Sequence, residues 1–177
     1  MCVIIYKPAG AKMPSKSTLD ACYKANPHGC GFVSSIGQFF KSLNYEQFKE
    51  RLMKVADEEE CIIHFRLATH GSIKKANCHP FKNGNVHFAH NGILPIKPIG
   101  DMTDSETAFR TILVPKIVQY GVDSLVVKCA VNAIIGSSKF AIMQNGKTTL
   151  FGNFIEQNGL YYSNLRFQYY MAYKSVI

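Results

Sequence analysis

Apolar and polar positions recur with different periods along this chain, and the periods predict its elements. Behind Cys2 the run Val3-Ile4-Ile5-Tyr6 is continuously apolar, the pattern of a strand buried on both faces, so residues 2–6 read as a strand. Residues 8–14, bounded by two prolines, read as a loop, and Ser17 as the cap of a short helix to residue 24. Asn26-Pro27-His28-Gly29 is turn chemistry leading into a hairpin of 31–35 and 38–43 around Gly37. Asn44 with Gln47 three residues later predicts a capping box, starting a helix to about residue 56 with Phe48, Leu52 and Val55 on its inner face.

Residues 61–67 and 85–90 read as strands. From 105 to 120 the spacing is helical, with Phe109, Ile112, Leu113 and Ile117 inward, and Pro115 must kink or divide that helix. A second helix, 123–135, follows Gly121. The rest reads as β throughout: 139–144, a turn at Asn145-Gly146, 147–156, a turn at Asn158-Gly159, then 160–163. Asn-Gly between alternating strands is a strong hairpin signal. Strands, paired helices and strands again predict an α+β fold of two sheets covered by helices, without repeats or linkers.

Composition narrows the function classes. A chain of 177 residues is expected to form one domain, 1–177, and a chain of that size buries roughly 70% of its unfolded surface. No run approaches the ~18 apolar residues of a membrane helix, and Val3 to Tyr6 is too short for a secretory signal. The six cysteines are scattered without a C-x-x-C pair, which predicts free thiols in a reducing cytoplasm. The net charge of +8 is spread along the chain and no nucleic-acid motif accompanies it. A solvated lysine surface is the expectation, with neither nucleic acid nor membrane as partner.

The candidate chemistry begins at Cys2. A small second residue favours removal of Met1, which would put a thiol and a free α-amine on one residue. An α-amine titrates near ~7.7–8.0 and a thiol near ~8.5, so the pair can exchange a proton at neutral pH. By itself a cysteine opening a buried strand is more often the start of a packed core.

Further pieces set Cys2 in a pattern. Cys61-Ile62-Ile63-His64-Phe65-Arg66-Leu67-Ala68-Thr69-His70-Gly71 is followed by Asn77-Cys78-His79-Pro80 and then His90-Asn91-Gly92-Ile93. These blocks resemble the H-T-R-W-A-T-H-G, N-A-H-P and H-N-G-I pieces of the glutaminase domain of class II (N-terminal nucleophile) glutamine amidotransferases. Asn26-Pro27-His28-Gly29-Cys30-Gly31-Phe32 is similar to that family's D-G-W-G loop, and Thr103-Asp104-Ser105-Glu106 to its S-D-T-E, all in the family's order.

The resemblance implies a four-layer αββα sandwich of two mainly antiparallel sheets, the N-terminal-nucleophile hydrolase fold. It implies that Cys2 attacks the carboxamide of glutamine with its own α-amine as base, releasing ammonia and leaving a γ-glutamyl thioester. Asn91 and Gly92 would be the oxyanion donors. Arg66 would hold the substrate α-carboxylate and Asp104 its α-ammonium. Thr69, His70 and His79 would belong to the substrate-binding loop, with no metal and no cofactor. Two positions depart from the family, Leu67 and Cys30, where tryptophan is common; this chain has none. No synthase domain is expected within the chain, so the ammonia would pass to a separate synthase or ligase subunit. The basic, aromatic stretch from 105 to 177 is the expected docking region. Two other readings stay open: an amidohydrolase of another γ-glutamyl or small amide substrate, and a non-enzymatic basic binding module.

Overall fold

The computed structural model describes residues 2–68 and 72–172. Successive strand residues face opposite ways, and here the two directions lead to different cores. In β1 (Val3–Lys7), β2 (Cys30–Ser34) and β4 (Cys61–Phe65), the side chains of Val3, Ile5, Phe32, Ile63 and Phe65 face helices α1 (Lys16–Ala25) and α2 (Tyr45–Leu52). They bury Leu19 and Cys22 of α1 and Phe48 and Leu52 of α2. Their neighbours Ile4, Val33 and Ile62 face the other way, against Ala89, Ala141 and Met143 of a second sheet.

That second sheet runs β5-β6-β7-β8, built from β5 (Phe81–Asn83), β6 (Val86–Asn91), β7 (Lys139–Gln144) and β8 (Lys147–Phe151). On its outer face Phe88, Phe140 and Ile142 pack against Phe109, Leu113, Ile117, Val127 and Val131. The layers are therefore helices, sheet, sheet, helices, the αββα sandwich. The first sheet has the order β3-β2-β4-β1-β10-β9, with β3 (Phe39–Ser42), β9 (Ile155–Gln157) and β10 (Leu160–Tyr162), and every pairing is antiparallel. Central β1 lies between β4 and β10, so the end of the chain locks its beginning.

The elements correct the sequence reading in several places. Ser15, not Ser17, caps α1, accepting the Thr18 N–H at 3.1 Å. Asn44 caps α2 by accepting the Gln47 N–H, but its own N–H goes to Ser42 Oγ, so only half of the expected box forms. The helix stops at Leu52 rather than near 56 because the Ala56 N–H is taken by the Glu59 carboxylate and Lys7 Nζ binds the Asp57 and Glu59 carbonyls. Pro115 does divide its segment, into α3 (Asp104–Ala108), a π-helical turn (Phe109–Leu113) and α4 (Val114–Tyr120). Proline cannot donate to the carbonyl one turn back, and the widened turn accommodates the gap. Ser124 caps α5 (Leu125–Ile135).

The strands expected in the C-terminal part form, with one of them split and a helical segment after them. The expected strand 147–156 breaks at Gly152, so that β8 joins one sheet and β9 the other. After β10 come a 3-10 turn (Arg166–Gln168) and a short helix α6 (Tyr169–Ala172). Of the aromatics expected to dock a partner, Tyr162 and Phe167 are buried in the core beside α1 and α2, whereas Tyr169 and Tyr170 are exposed. Among the described residues no helix is long and apolar enough to cross a membrane.

Candidate active site

Cys2 lies one residue before the first ladder pair of β1 and β4, Val3↔Phe65. Just past the end of β4, the Leu67 N–H donates to Cys2 Sγ at 3.3 Å. Leu67 is held there by the Asn26-Pro27-His28-Gly29 turn. The His28 N–H donates to the Arg66 carbonyl, the Arg66 N–H to the Gly29 carbonyl, and the Ala68 N–H to His28 Nδ1, all within 2.9 Å. Sequence reasoning gave His28 only a turn role; its ring fixes the backbone that meets the thiol. Burial pushes the Cys2 thiol up, against the opposing pull of the Leu67 N–H and the Arg66 charge.

In front of the thiol is a cavity of about 520 Å³ whose wall includes Cys2, Arg66, Lys74, His79, Gly92 and Asp104. The structure thus brings together residues up to 102 positions apart in sequence, from Cys2 to Asp104. Arg66 is buried rather than a surface arginine, and its Nη1 donates to the Ser72 carbonyl at 3.0 Å. Asp104 is the first residue of α3, whose cap is Thr103. Its Oδ2 accepts the Leu94 N–H at 2.9 Å and its Oδ1 accepts the Ser105 N–H at 2.7 Å. A carboxylate has about four acceptor positions, so room for a cation remains.

Gly92 follows β6 with φ +144, and a Cβ there would run into the Ser138 side chain, 2.7 Å from its Cβ. Only glycine suits this turn, and Gly92 lines the cavity wall. Asn91, the last residue of β6, is buried behind the wall, where its Nδ2 donates to Ser163 Oγ at 2.9 Å.

Three buried histidines support this wall. His79 Nδ1 and His64 Nε2 share a hydrogen bond of 3.1 Å, so one ring carries the proton and the other accepts it. His90 Nδ1 is 2.7 Å from Ser105 Oγ, which itself donates to Asp104, so the His90 proton sits on Nδ1. Burial lowers His64 to about 3 and His90 to about 4, in the second case against the pull of Asp104. Burial, then the neighbouring histidine charges, holds His79 well below its ordinary value. All three rings are neutral at pH 7. The His79 carbonyl packs so closely on Gly31 that no side chain fits there, which accounts for glycine in the Gly29-Cys30-Gly31 stretch. Among the described residues no three histidine, cysteine or carboxylate groups converge as metal ligands would.

Thr69 and His70, expected in the substrate-binding loop, lie outside the described residues. Of the two departures, Leu67 is on the cavity wall but meets the thiol through its backbone. Cys30 faces the helix-covered core, away from the cavity.

Known proteins resemble the chain over this same region. A family model for class II glutamine amidotransferases matches residues 50–153. The glutamine–fructose-6-phosphate aminotransferase (isomerizing) of Xylella fastidiosa strain 9a5c is 32% identical over 99 residues, half of this chain and 16% of that protein. Its counterpart in strain Temecula1 is 33% identical over 95 residues, covering 48% of this chain and again 16% of the relative. The match therefore spans about a sixth of these relatives' length. Among solved structures, the glutamine phosphoribosylpyrophosphate amidotransferase of B. subtilis, complexed with ADP and GMP, superposes with a TM-score of 0.60 at 16% identity, over 92% of this chain and 41% of that one. That likeness concerns the fold, and the family match covers more than half of the sequence. On these grounds the chain belongs to the class II glutamine amidotransferases.

Proposed function

We propose that this chain is a single glutaminase domain that hydrolyses glutamine to glutamate and ammonia through a thioester on Cys2. The observation that carries the reading is the shared cavity, whose lining brings together the half-buried Cys2, the buried Arg66, Gly92 and Asp104. Those are the groups that attack on an amino-acid carboxamide requires.

With Met1 removed, the Cys2 α-amine takes the thiol proton as Sγ attacks the side-chain carboxamide carbon of glutamine. The Gly92 N–H and an Asn91 amide N–H receive the developing oxyanion. As the tetrahedral species collapses, the amine returns the proton to the departing nitrogen, which leaves as ammonia. Water, deprotonated by the same amine, then attacks the thioester, releasing glutamate and restoring the thiol. The Arg66 guanidinium suits the α-carboxylate, since a planar fork binds both oxygens, and Asp104 suits the α-ammonium. Thr69, His70 and His79 would complete the substrate loop.

The ammonia goes to a separate synthase or ligase in this reading, which predicts weak activity of the chain alone and stimulation by the acceptor enzyme. One observation favours a second reading: Lys74 places another cation on the cavity wall beyond Arg66, which suits a γ-glutamyl or other amide carrying an extra acidic group. Ammonia release from glutamine, compared with release from γ-glutamyl amides with a second carboxylate, separates the two. Preference for free glutamine, lost in Cys2→Ala, supports the proposal, and indifference to glutamine in the purified protein refutes it.

A further inference from the structure

Cys2 and the two oxyanion donors come from different sheets, and no strand pairing aligns them. Cys2 precedes β1 of the first sheet, whereas Asn91 ends β6 of the second and Gly92 follows it. One dipeptide just after β10 touches both. Ser163 is buried, and its Oγ accepts the Ile4 N–H at 2.8 Å and lies 2.9 Å from Asn91 Nδ2. The Ser163 N–H donates in turn to the Ile4 carbonyl. Asn164 Nδ2 donates to the Cys2 carbonyl at 2.8 Å, while Asn164 Oδ1 accepts the Arg166 N–H at 3.1 Å. The second bond fixes which end of the Asn164 amide faces Cys2.

Chain ends fray unless something ties them down. Once Met1 is gone, Cys2 is the end of the chain, one residue outside the ladder, and the Asn164 bond ties down its main chain. Asn91 has a related need, because its Oδ1 is buried without a partner. The Ser163 hydroxyl already accepts from Ile4 and still has its proton to give. Turning the Asn91 amide by half a turn lets that proton reach Oδ1. In either orientation the hydroxyl fixes the plane of the amide that must offer an N–H to the oxyanion.

The geometry points to Ser163 and Asn164 as a pair of positioning residues: Asn164 anchors the backbone of the nucleophile, and Ser163 orients the Asn91 amide. This rests on Cys2 being the nucleophile. Both residues lie outside the segment matched by the family model, as Cys2 does.

The test uses Ser163→Ala, Ser163→Thr and Asn164→Ala in the full chain, with circular dichroism to establish folding. Both alanine variants should lower kcat for glutamine by about 10–100-fold, the scale of a nucleophile or donor displaced by an ångström, with KM within about threefold. Ser163→Thr, which keeps the hydroxyl, should recover most of the rate. Should Ser163→Ala fail to fold, Ser163→Cys, nearly isosteric but a poor hydrogen-bonding group, takes its place with the same expected loss.

A second readout is independent of glutamine: the rate of Cys2 alkylation by iodoacetamide across pH, located by peptide mass spectrometry. Asn164→Ala should speed Cys2 alkylation and shift its pH profile down towards an ordinary cysteine, because the released residue leaves its buried site. Ser163→Ala should leave that profile unchanged. Unaltered kcat in both alanine variants, a loss confined to KM, or a wild-type alkylation profile in Asn164→Ala would overturn the assignment. If the unmodified protein does not turn over glutamine but Asn164→Ala still releases Cys2, the glutamine reading and the role of Ser163 fall while the Asn164 anchor stands.

Discussion

The floor of the cavity and its rim are built in opposite ways. The floor is made of strand ends. Cys2, Leu67 and Gly92 extend β1, β4 and β6, and the backbone beneath them is closed by His28, Gly29, Ser138 and Asn164. The rim comes from irregular segments, 72–74 and 98–102, with Ile73 and Ile99 exposed. Groups that must hold a reacting atom to a fraction of an ångström sit on rigid elements, while groups that admit substrate or meet another protein sit on loops.

Substitutions in the floor should therefore cost far more activity than equivalent ones in the rim. Cys2→Ala should remove turnover by roughly 10⁴-fold or more, as loss of a nucleophile does. Its melting temperature should stay close to that of the parent, because the side chain loses weak sulfur contacts with the Leu67 backbone; ammonia release and thermal melting check both.

A pair of glycines sharpens the contrast. Gly92→Ala should lower kcat by about 10²–10³-fold through displacement of an oxyanion donor, since the new methyl meets Ser138. Gly100, on the rim at φ +56, has nothing within 4 Å of an added Cβ. Gly100→Ala should cost about 1 kcal/mol of stability from backbone strain and change kcat by less than about threefold.

The cations divide in the same way. Arg66→Ala should raise KM for glutamine about 10–100-fold, and Arg66→Lys should restore only part, because an ammonium lacks the bidentate fork. Lys74→Ala on the rim should move KM less than about threefold; a larger effect, especially with acidic γ-glutamyl amides, would favour the second reading.

The smallest effect at neutral pH is on stability. His64, His79 and His90 are all held below the ordinary histidine value in the folded chain. The unfolded chain binds protons below ~6.5, whereas the fold takes them up only at lower pH, about 3 at His64 and about 4 at His90, so stability is complete above pH 6.5 and falls as pH drops below it. At pH 5 each ring contributes a loss of up to roughly 2 kcal/mol. Melting between pH 7.5 and 5 should show a drop of about 10 °C or more, and a flat profile would mean that these rings are solvated.

Much of this floor was legible in the sequence because its residues fall in short contiguous blocks. Arg66, His79, Gly92 and Asp104 each sit in a motif whose order is informative, and the structure gathers them on one cavity with Cys2. The sandwich was legible too, since continuous apolar strands such as Val3-Ile4-Ile5 require cover on both faces. What escaped depends on contacts distant in sequence. Ser163 and Asn164 touch Ile4, Asn91 and Cys2 across the sheets, and nothing in Tyr162-Ser163-Asn164-Leu165 announces that. The helical end packs Phe167 and Met171 into the core around α1 and α2, which outweighed local β propensity, and the strand breaks at Gly152, where φ is +87 and an added Cβ would meet the Ser138 carbonyl.

The central claim is that Cys2, freed of Met1, is the nucleophile, and covalent trapping tests it most directly. The purified protein would be treated with a diazo-ketone analogue of glutamine and examined by intact mass and peptide mapping. The account predicts a chain lacking Met1 with one adduct, on Cys2, formed in step with loss of glutaminase activity and absent from Cys2→Ala. An adduct on another cysteine such as the exposed Cys129, or full turnover by protein that retains Met1, would contradict it.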